Sequence, residues 1–116
     1  LAPKDFLIYS GDDSLTLPIL AVGGSGIISV AAHIVGKRMQ DMISAFFDGQ
    51  LARAREIHLE LLPFFKVIFV TTNPIPIKTA VNLIGLQAGP LRPPLIPPAA
   101  PEAEQLKAVM AKLGVL

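Results

Sequence analysis

The stretch Gly11 to Val30, GDDSLTLPILAVGGSGIISV, decides the fold. It sits between two short apolar runs that differ from everything after them. On its N-terminal side, Phe6-Leu7-Ile8-Tyr9 is closed by Ser10-Gly11-Asp12-Asp13, which reads as a buried strand ending in a turn. Thr16 is a good helix N-cap, and Pro18 then falls in the first turn, where its missing N–H does no harm. Gly23-Gly24 stops the helix. Ile27-Ile28-Ser29-Val30, entered through Gly26, reads as a second buried strand. Neither strand alternates apolar and polar residues, which suits a parallel sheet covered on both faces. Two strands joined by a helical crossover are expected to be parallel. The stretch is therefore an α/β unit, and two strands are too few to close a sheet.

Beyond Val30 the apolar period changes. Val35, Met39, Met42, Ile43 and Phe46 recur at three and four, which predicts an amphipathic helix ended by Gly49. Leu51, Ala54, His58, Leu61, Phe65 and Ile68 predict a second, longer helix to about Phe69, kinked at Pro63. Asn73-Pro74-Ile75-Pro76 predicts a third, capped by Asn73 and closed by Gly85. Gly89 to Pro101 carries six prolines, so it is expected to be an extended, polyproline-like connector. A last helix follows Pro101, with Glu102 and Glu104 in its first turn, Lys112 in its last, and Leu106, Val109, Met110 and Leu113 as its buried stripe. These elements divide the chain into residues 1–48, holding two βα units, and 49–116, a helical region containing the connector 89–101.

The whole chain has 116 residues, enough for one domain. It is 52% hydrophobic and only 16% charged. A chain this short leaves much of its surface exposed. Its apolar excess implies either self-association or an origin within something larger, and the absence of an initiator Met agrees with the second. A net charge of +1 with scattered Lys and Arg gives no reason to expect nucleic acid. The absence of cysteine removes disulfides, thiolate catalysis and cysteine metal sites, and fits a reducing, cytoplasmic location. No membrane-spanning segment is expected: the apolar run from Leu59 to Val70 is short and holds Glu60, Pro63 and Lys66.

Candidate chemistry is sparse. Asp12-Asp13 is either an acid/base or ligand pair, or turn and capping chemistry. Adjacent residues at a strand end point to opposite sides, which favours the second. Gly23-Gly24-Ser25-Gly26 follows a helix and opens a strand, the reverse of a phosphate-cradling loop, and is read as a tight αβ turn. His33 stands three residues past a strand end, and His58 lies on an apolar stripe; on different helices, they do not make a zinc site. His58 is expected to be a satisfied core or interface residue. Lys78 lacks the desolvated surroundings of a Schiff-base lysine and is expected to be structural or ion-pairing. Ser29 has no acid and base arranged around it as a triad. The residues alone disclose no activity.

In combination, Ser10-Gly11-Asp12-Asp13, Leu17-Pro18, Gly23 and Gly26-Ile27-Ile28-Ser29-Val30 resemble the seventh and eighth strands of the dihydrodipicolinate synthase family of pyruvate-dependent class I aldolases. Asn73-Pro74-Ile75-Pro76-Ile77-Lys78, Arg92-Pro93-Pro94-Leu95 and Gly114-Val115-Leu116 resemble the family's later turn, connector and chain end. The resemblance covers the whole chain. It implies the C-terminal portion of a (β/α)8 TIM barrel, strands seven and eight followed by C-terminal helices. It also implies a lyase that condenses pyruvate with aspartate semialdehyde through a lysine Schiff base, in lysine and diaminopimelate biosynthesis.

That lysine matches nothing in this chain, so no catalytic residue, metal or separate cofactor is expected here, and the chain alone is expected to be inactive. The resemblance places Ile28, by its backbone, and Gly11 at the pyruvate pocket. It places Asp12, Asp13 and Gly26 on the rim of the site, and Leu17, Pro18, Ala21 and Val22 at an interface of a homo-oligomer, a tetramer or dimer. The expected partners are the remainder of the barrel and further copies. His33 and Gly36 depart from the family's usual residues, which bears on the loop after the eighth strand. Two alternatives remain: a sister lyase acting on N-acetylneuraminate or a keto-deoxy sugar acid, and a non-catalytic helical association module.

Overall fold

A computed structural model describes residues 3–116. The chain opens with β1 (Tyr9–Ser10), a 3-10 turn (Asp13–Leu15), α1 (Thr16–Ala21) and β2 (Gly26–Ile27). Four longer helices follow: α2 (Ala32–Phe47), α3 (Leu51–Val67), α4 (Ile75–Leu83) and α5 (Ala100–Lys112). β1 and β2 pair in parallel, with Tyr9 opposite Gly26 and Ser10 opposite Ile27. Ser25 N–H donates to the Ile8 carbonyl at 2.7 Å and Ile28 N–H to the Ser10 carbonyl at 2.9 Å, extending the ladder at each end.

The strands are shorter than the apolar runs that predict them, and the first is not buried. Phe6 and Leu7 are 64% and 62% exposed. A parallel strand needs neighbours on both sides and cover on both faces, and among the described residues β1 has only β2 beside it. Thr16 is not an N-cap. Its backbone is already helical, with φ −53° and ψ −58°, and its hydroxyl donates to the Asp13 carbonyl at 2.8 Å. The N-cap position of α1 is Leu15, which makes no side-chain cap; it is the preceding 3-10 turn that is capped, by Asp12, extended at φ −119° and ψ 120°, whose carboxylate accepts from Ser14 N–H at 2.8 Å.

The core lies among the helices. Val35, Met39, Met42 and Ala45 of α2 face Ala54, Ile57, Leu61, Phe64 and Phe65 of α3, and Leu106 and Met110 of α5 close the cluster. The stripe of α3 is rotated from the predicted one. Leu51 is exposed in the first turn, while Ile57 and Phe64 are buried. Pro63 does not interrupt α3, which runs unbroken through it. The departure from helical geometry is in α2, at Val35 (φ −111°, ψ 21°). The proline removes the donor for the Leu59 carbonyl. Leu59 is itself exposed, so water can reach that acceptor. Asn73 makes no side-chain cap for α4, whose N-cap position is Pro74. Residues 86–99 form neither helix nor strand, as the proline content predicts. No helix among the described residues is long and apolar enough to cross a membrane.

Candidate functional site

The C-terminal ends of β1 and β2 bring Gly11, Asp12, Asp13 and Ile28 together. The ladder bond from Ile28 N–H to the Ser10 carbonyl sets the two strand ends side by side. Gly11 is exposed, and a Cβ added there would meet nothing within 4 Å. Gly26 is buried in β2, and a Cβ there would come within 3.2 Å of the Tyr9 ring. Ile28 presents its side chain outward, 73% exposed.

The two aspartates have opposite fates. Asp12 is exposed and caps the 3-10 turn, accepting from both the Ser14 N–H and the Ser14 hydroxyl, the latter at 2.6 Å. These bonds to Ser14 hold its carboxyl below the usual carboxylate range. Asp13 is 1% exposed. One of its carboxylate oxygens accepts the Ser29 hydroxyl, and the other accepts Val30 N–H at 3.2 Å and Ala31 N–H at 3.1 Å. Ser29 Oγ in turn accepts from Ala32 N–H at 2.9 Å. An isolated buried carboxylate would be costly, and these donors offset that cost. Asp13 thus presents no free carboxylate to solvent; it fastens the turn after β1 to the start of α2.

Sequence reasoning missed this clamp. The sequence pairs Asp13 with its neighbour Asp12, whereas its partners lie sixteen to eighteen residues on. The available signal is Ser29 itself, a hydroxyl three residues before the start of α2, where backbone N–H groups await an acceptor.

The remaining candidates lie apart. Leu17 is half-buried, while Pro18, Ala21 and Val22 stand on the exposed side of α1 and just beyond it. His33 is exposed and lines a hollow of about 240 Å³ with Pro74, Ile77 and Lys78. His58 is not a satisfied core histidine: its Nδ1 is buried with no hydrogen-bond partner. Burial pushes its imidazole below the ordinary histidine range. Lys78 is structural. Its ammonium donates to the Pro90 carbonyl at 2.6 Å. A cavity of about 560 Å³ lies under the connector, between Asn82, Leu83, Leu91, Leu95 and Pro98, and contains none of the strand-end residues. A second, of about 500 Å³, is lined by Ile27, Ser29, Gly36, Met39 and Ile43 beside the clamp.

Comparison with known proteins gives a consistent outcome. Residues 1–113 match the model of the dihydrodipicolinate synthetase family. The 4-hydroxy-tetrahydrodipicolinate synthase of Moorella thermoacetica is 52% identical over 115 residues, covering 99% of this chain and 39% of that protein. The enzyme of the same name from Thermosynechococcus vestitus is 57% identical over 114 residues, covering 98% of this chain and 38% of that one. The crystal structure of the synthase from Cyanidioschyzon merolae with lysine bound superposes with a TM-score of 0.95 at 43% identity, over 99% of this chain and 39% of that chain. The chain therefore spans about two fifths of the length of the relatives it matches.

Proposed function

Because the chain belongs to the dihydrodipicolinate synthetase family, we propose that it forms the C-terminal portion of a lyase condensing pyruvate with aspartate semialdehyde. In this reading, β1 and β2 are the last two strands of a TIM barrel. Their exposed edge and the bare side chains of Phe6 and Leu7 meet the rest of that barrel. Active sites of such barrels gather at the C-terminal ends of the strands. That is where Gly11 and Ile28 lie, with Asp12 on the rim. The nucleophile is a lysine outside this chain, which forms a Schiff base with pyruvate, so no separate cofactor is required. Lys78 does not fill that role, since its ammonium is engaged by the Pro90 carbonyl. The outward residues Pro18, Ala21 and Val22 belong to a contact between copies of a cytoplasmic homo-oligomer.

The single observation that carries this reading is the superposition of nearly the whole chain on a synthase at a TM-score of 0.95. The synthase is preferred to a sister lyase because the curated relatives matched at 52% and 57% identity carry the synthase name. The test uses the full-length protein that contains this chain. With pyruvate and borohydride it should gain a reduced pyruvate adduct, read by mass spectrometry. With aspartate semialdehyde added it should turn over. The 116-residue chain by itself should gain no adduct. An adduct on the short chain overturns the absence of a nucleophile here. Cleavage of N-acetylneuraminate with release of pyruvate, and no turnover of the semialdehyde, overturns the substrate.

A further inference from the structure

We propose that Asp13 is a positioning residue for the pyruvate pocket, acting through the Ile28–Ser29 peptide; this rests on the lyase reading above. The peptide lies between two fixed points. On one side, Ile28 N–H is held by the Ser10 carbonyl at 2.9 Å. On the other, Asp13 takes the Ser29 hydroxyl, Val30 N–H and Ala31 N–H on one carboxylate. Ser10 and Asp13 both belong to the segment that ends β1. One turn of chain therefore grips the β2 end from both sides, and the Ile28 carbonyl has little freedom to rotate out of the plane those grips define.

The grip is built for rigidity. Asp13 is 1% exposed, so water does not compete for its lone pairs. Its own backbone is fixed by the Thr16 hydroxyl, which donates to the Asp13 carbonyl at 2.8 Å from a buried position. Ser29 Oγ is engaged a second time by Ala32 N–H at 2.9 Å, so its rotamer is locked as well. A backbone group that lines a reacting centre acts by being in place beforehand, and small displacements there are costly to rate. Asp12, its exposed neighbour, reaches only Ser14 and serves as the internal comparison.

The experiment compares Asp13→Asn, Ser29→Ala and Asp12→Asn with the wild type, all in the full-length protein. Active sites are counted by borohydride-trapped pyruvate, so that loss of folded protein is not mistaken for loss of rate. In Asp13→Asn the charge is lost and only one oxygen remains to accept, so residue 13 cannot take the Ser29 hydroxyl on one side and the two backbone N–H groups on the other, and kcat/KM for pyruvate per trapped site should fall about tenfold or more. Ser29→Ala leaves the two backbone donors in place and should cost a smaller factor, about threefold. KM for the semialdehyde should stay within about twofold in both, because the pyruvate wall is what moves. Asp12→Asn should change kcat/KM less than Asp13→Asn does.

If Asp13→Asn does not fold, Ser29→Ala decides alone. Unchanged kcat/KM for pyruvate in whichever variant folds overturns the proposal while leaving the lyase reading intact. A wild-type protein that traps no pyruvate overturns the lyase reading, and this inference with it.

Discussion

Lys78 Nζ and the carbonyl oxygen of Pro90 lie 2.6 Å apart, tying the first turns of α4 to the start of the proline-rich connector. Asn82 stands one turn further along the same face of α4. Its side chain donates to the Gly89 carbonyl at 3.1 Å and accepts from Ala88 N–H at 2.9 Å. A segment with no ladder of its own needs partners for its backbone groups. Here two polar side chains of one helix supply them. Asn82→Ala should therefore loosen the connector without unfolding the protein. Amide exchange at Ala88 should quicken about tenfold, and global stability should fall by about 1 kcal/mol or less, because the site is exposed. Ala88 N–H also donates to the Leu86 carbonyl at 2.9 Å, and unchanged exchange would mean that this bond, not Asn82, protects the amide.

Two glycines predict opposite signs for the same substitution. A Cβ on Gly24 would sit 2.3 Å from Ile19 Cγ2 and 2.8 Å from the Ile19 carbonyl oxygen. The second of these is backbone and cannot swing aside. The Gly24 N–H also donates to that carbonyl at 2.8 Å, so the close approach is part of how α1 ends. Gly24→Ala should cost about 1–3 kcal/mol. Gly36 lies within α2, where a Cβ would meet only the Ala32 Cβ at 3.7 Å, ordinary contact. Gly36→Ala should stabilise by about 0.5–1 kcal/mol through the entropy removed from the unfolded chain. Urea denaturation of the two variants checks both, and a common sign would sink the reasoning.

Phe64 is fully buried where α3 faces the rest of the core. Truncating it leaves a cavity among the packed side chains of the helical core, which cannot collapse freely. Phe64→Ala should cost about 3–5 kcal/mol. Leu51→Ala, on the exposed first turn of the same helix, should stay within about 0.5 kcal/mol. Chemical denaturation reads both numbers. A loss below about 1 kcal/mol at Phe64 would show that α3 is not packed as described.

The helices were legible because their signals are local. Met39, Met42, Leu106 and Met110 recur at helical spacing, and all four are buried. The glycines that stop α2 and α4 also stood where the pattern ended. At Pro63 the sequence shows the missing donor but not that Leu59, whose carbonyl loses its partner, is exposed, because burial is not local information. The strands were legible as parallel but not in length: Phe6 to Ile8 carry the signal of a covered strand, and the described residues supply no cover. The family resemblance groups Gly11, Asp12 and Ile28, and the pairing of the strand ends sets them side by side. The Asp13–Ser29 clamp was not legible, because it joins residues on either side of a helix and is visible only once β1 and β2 pair.

His58 adds a pH dependence whose sign is fixed by its surroundings. Its ring lies against Phe65, with centroids 6.3 Å apart, and Nδ1 is buried without a partner. Desolvation disfavours the imidazolium, so the folded-state pKa lies below the unfolded value of about 6.5. Above that value both states are neutral and the full stability is present. As pH falls through it, the unfolded chain takes up a proton that the folded one resists, and stability is lost until the folded pKa is passed. His58→Phe removes the titrating group and the unpaired nitrogen together. The variant should therefore lose less stability than the wild type between pH 7.5 and pH 5, read as the shift in urea midpoint. Equal losses in the two proteins would show that His58 stays solvated enough to titrate alike in both states.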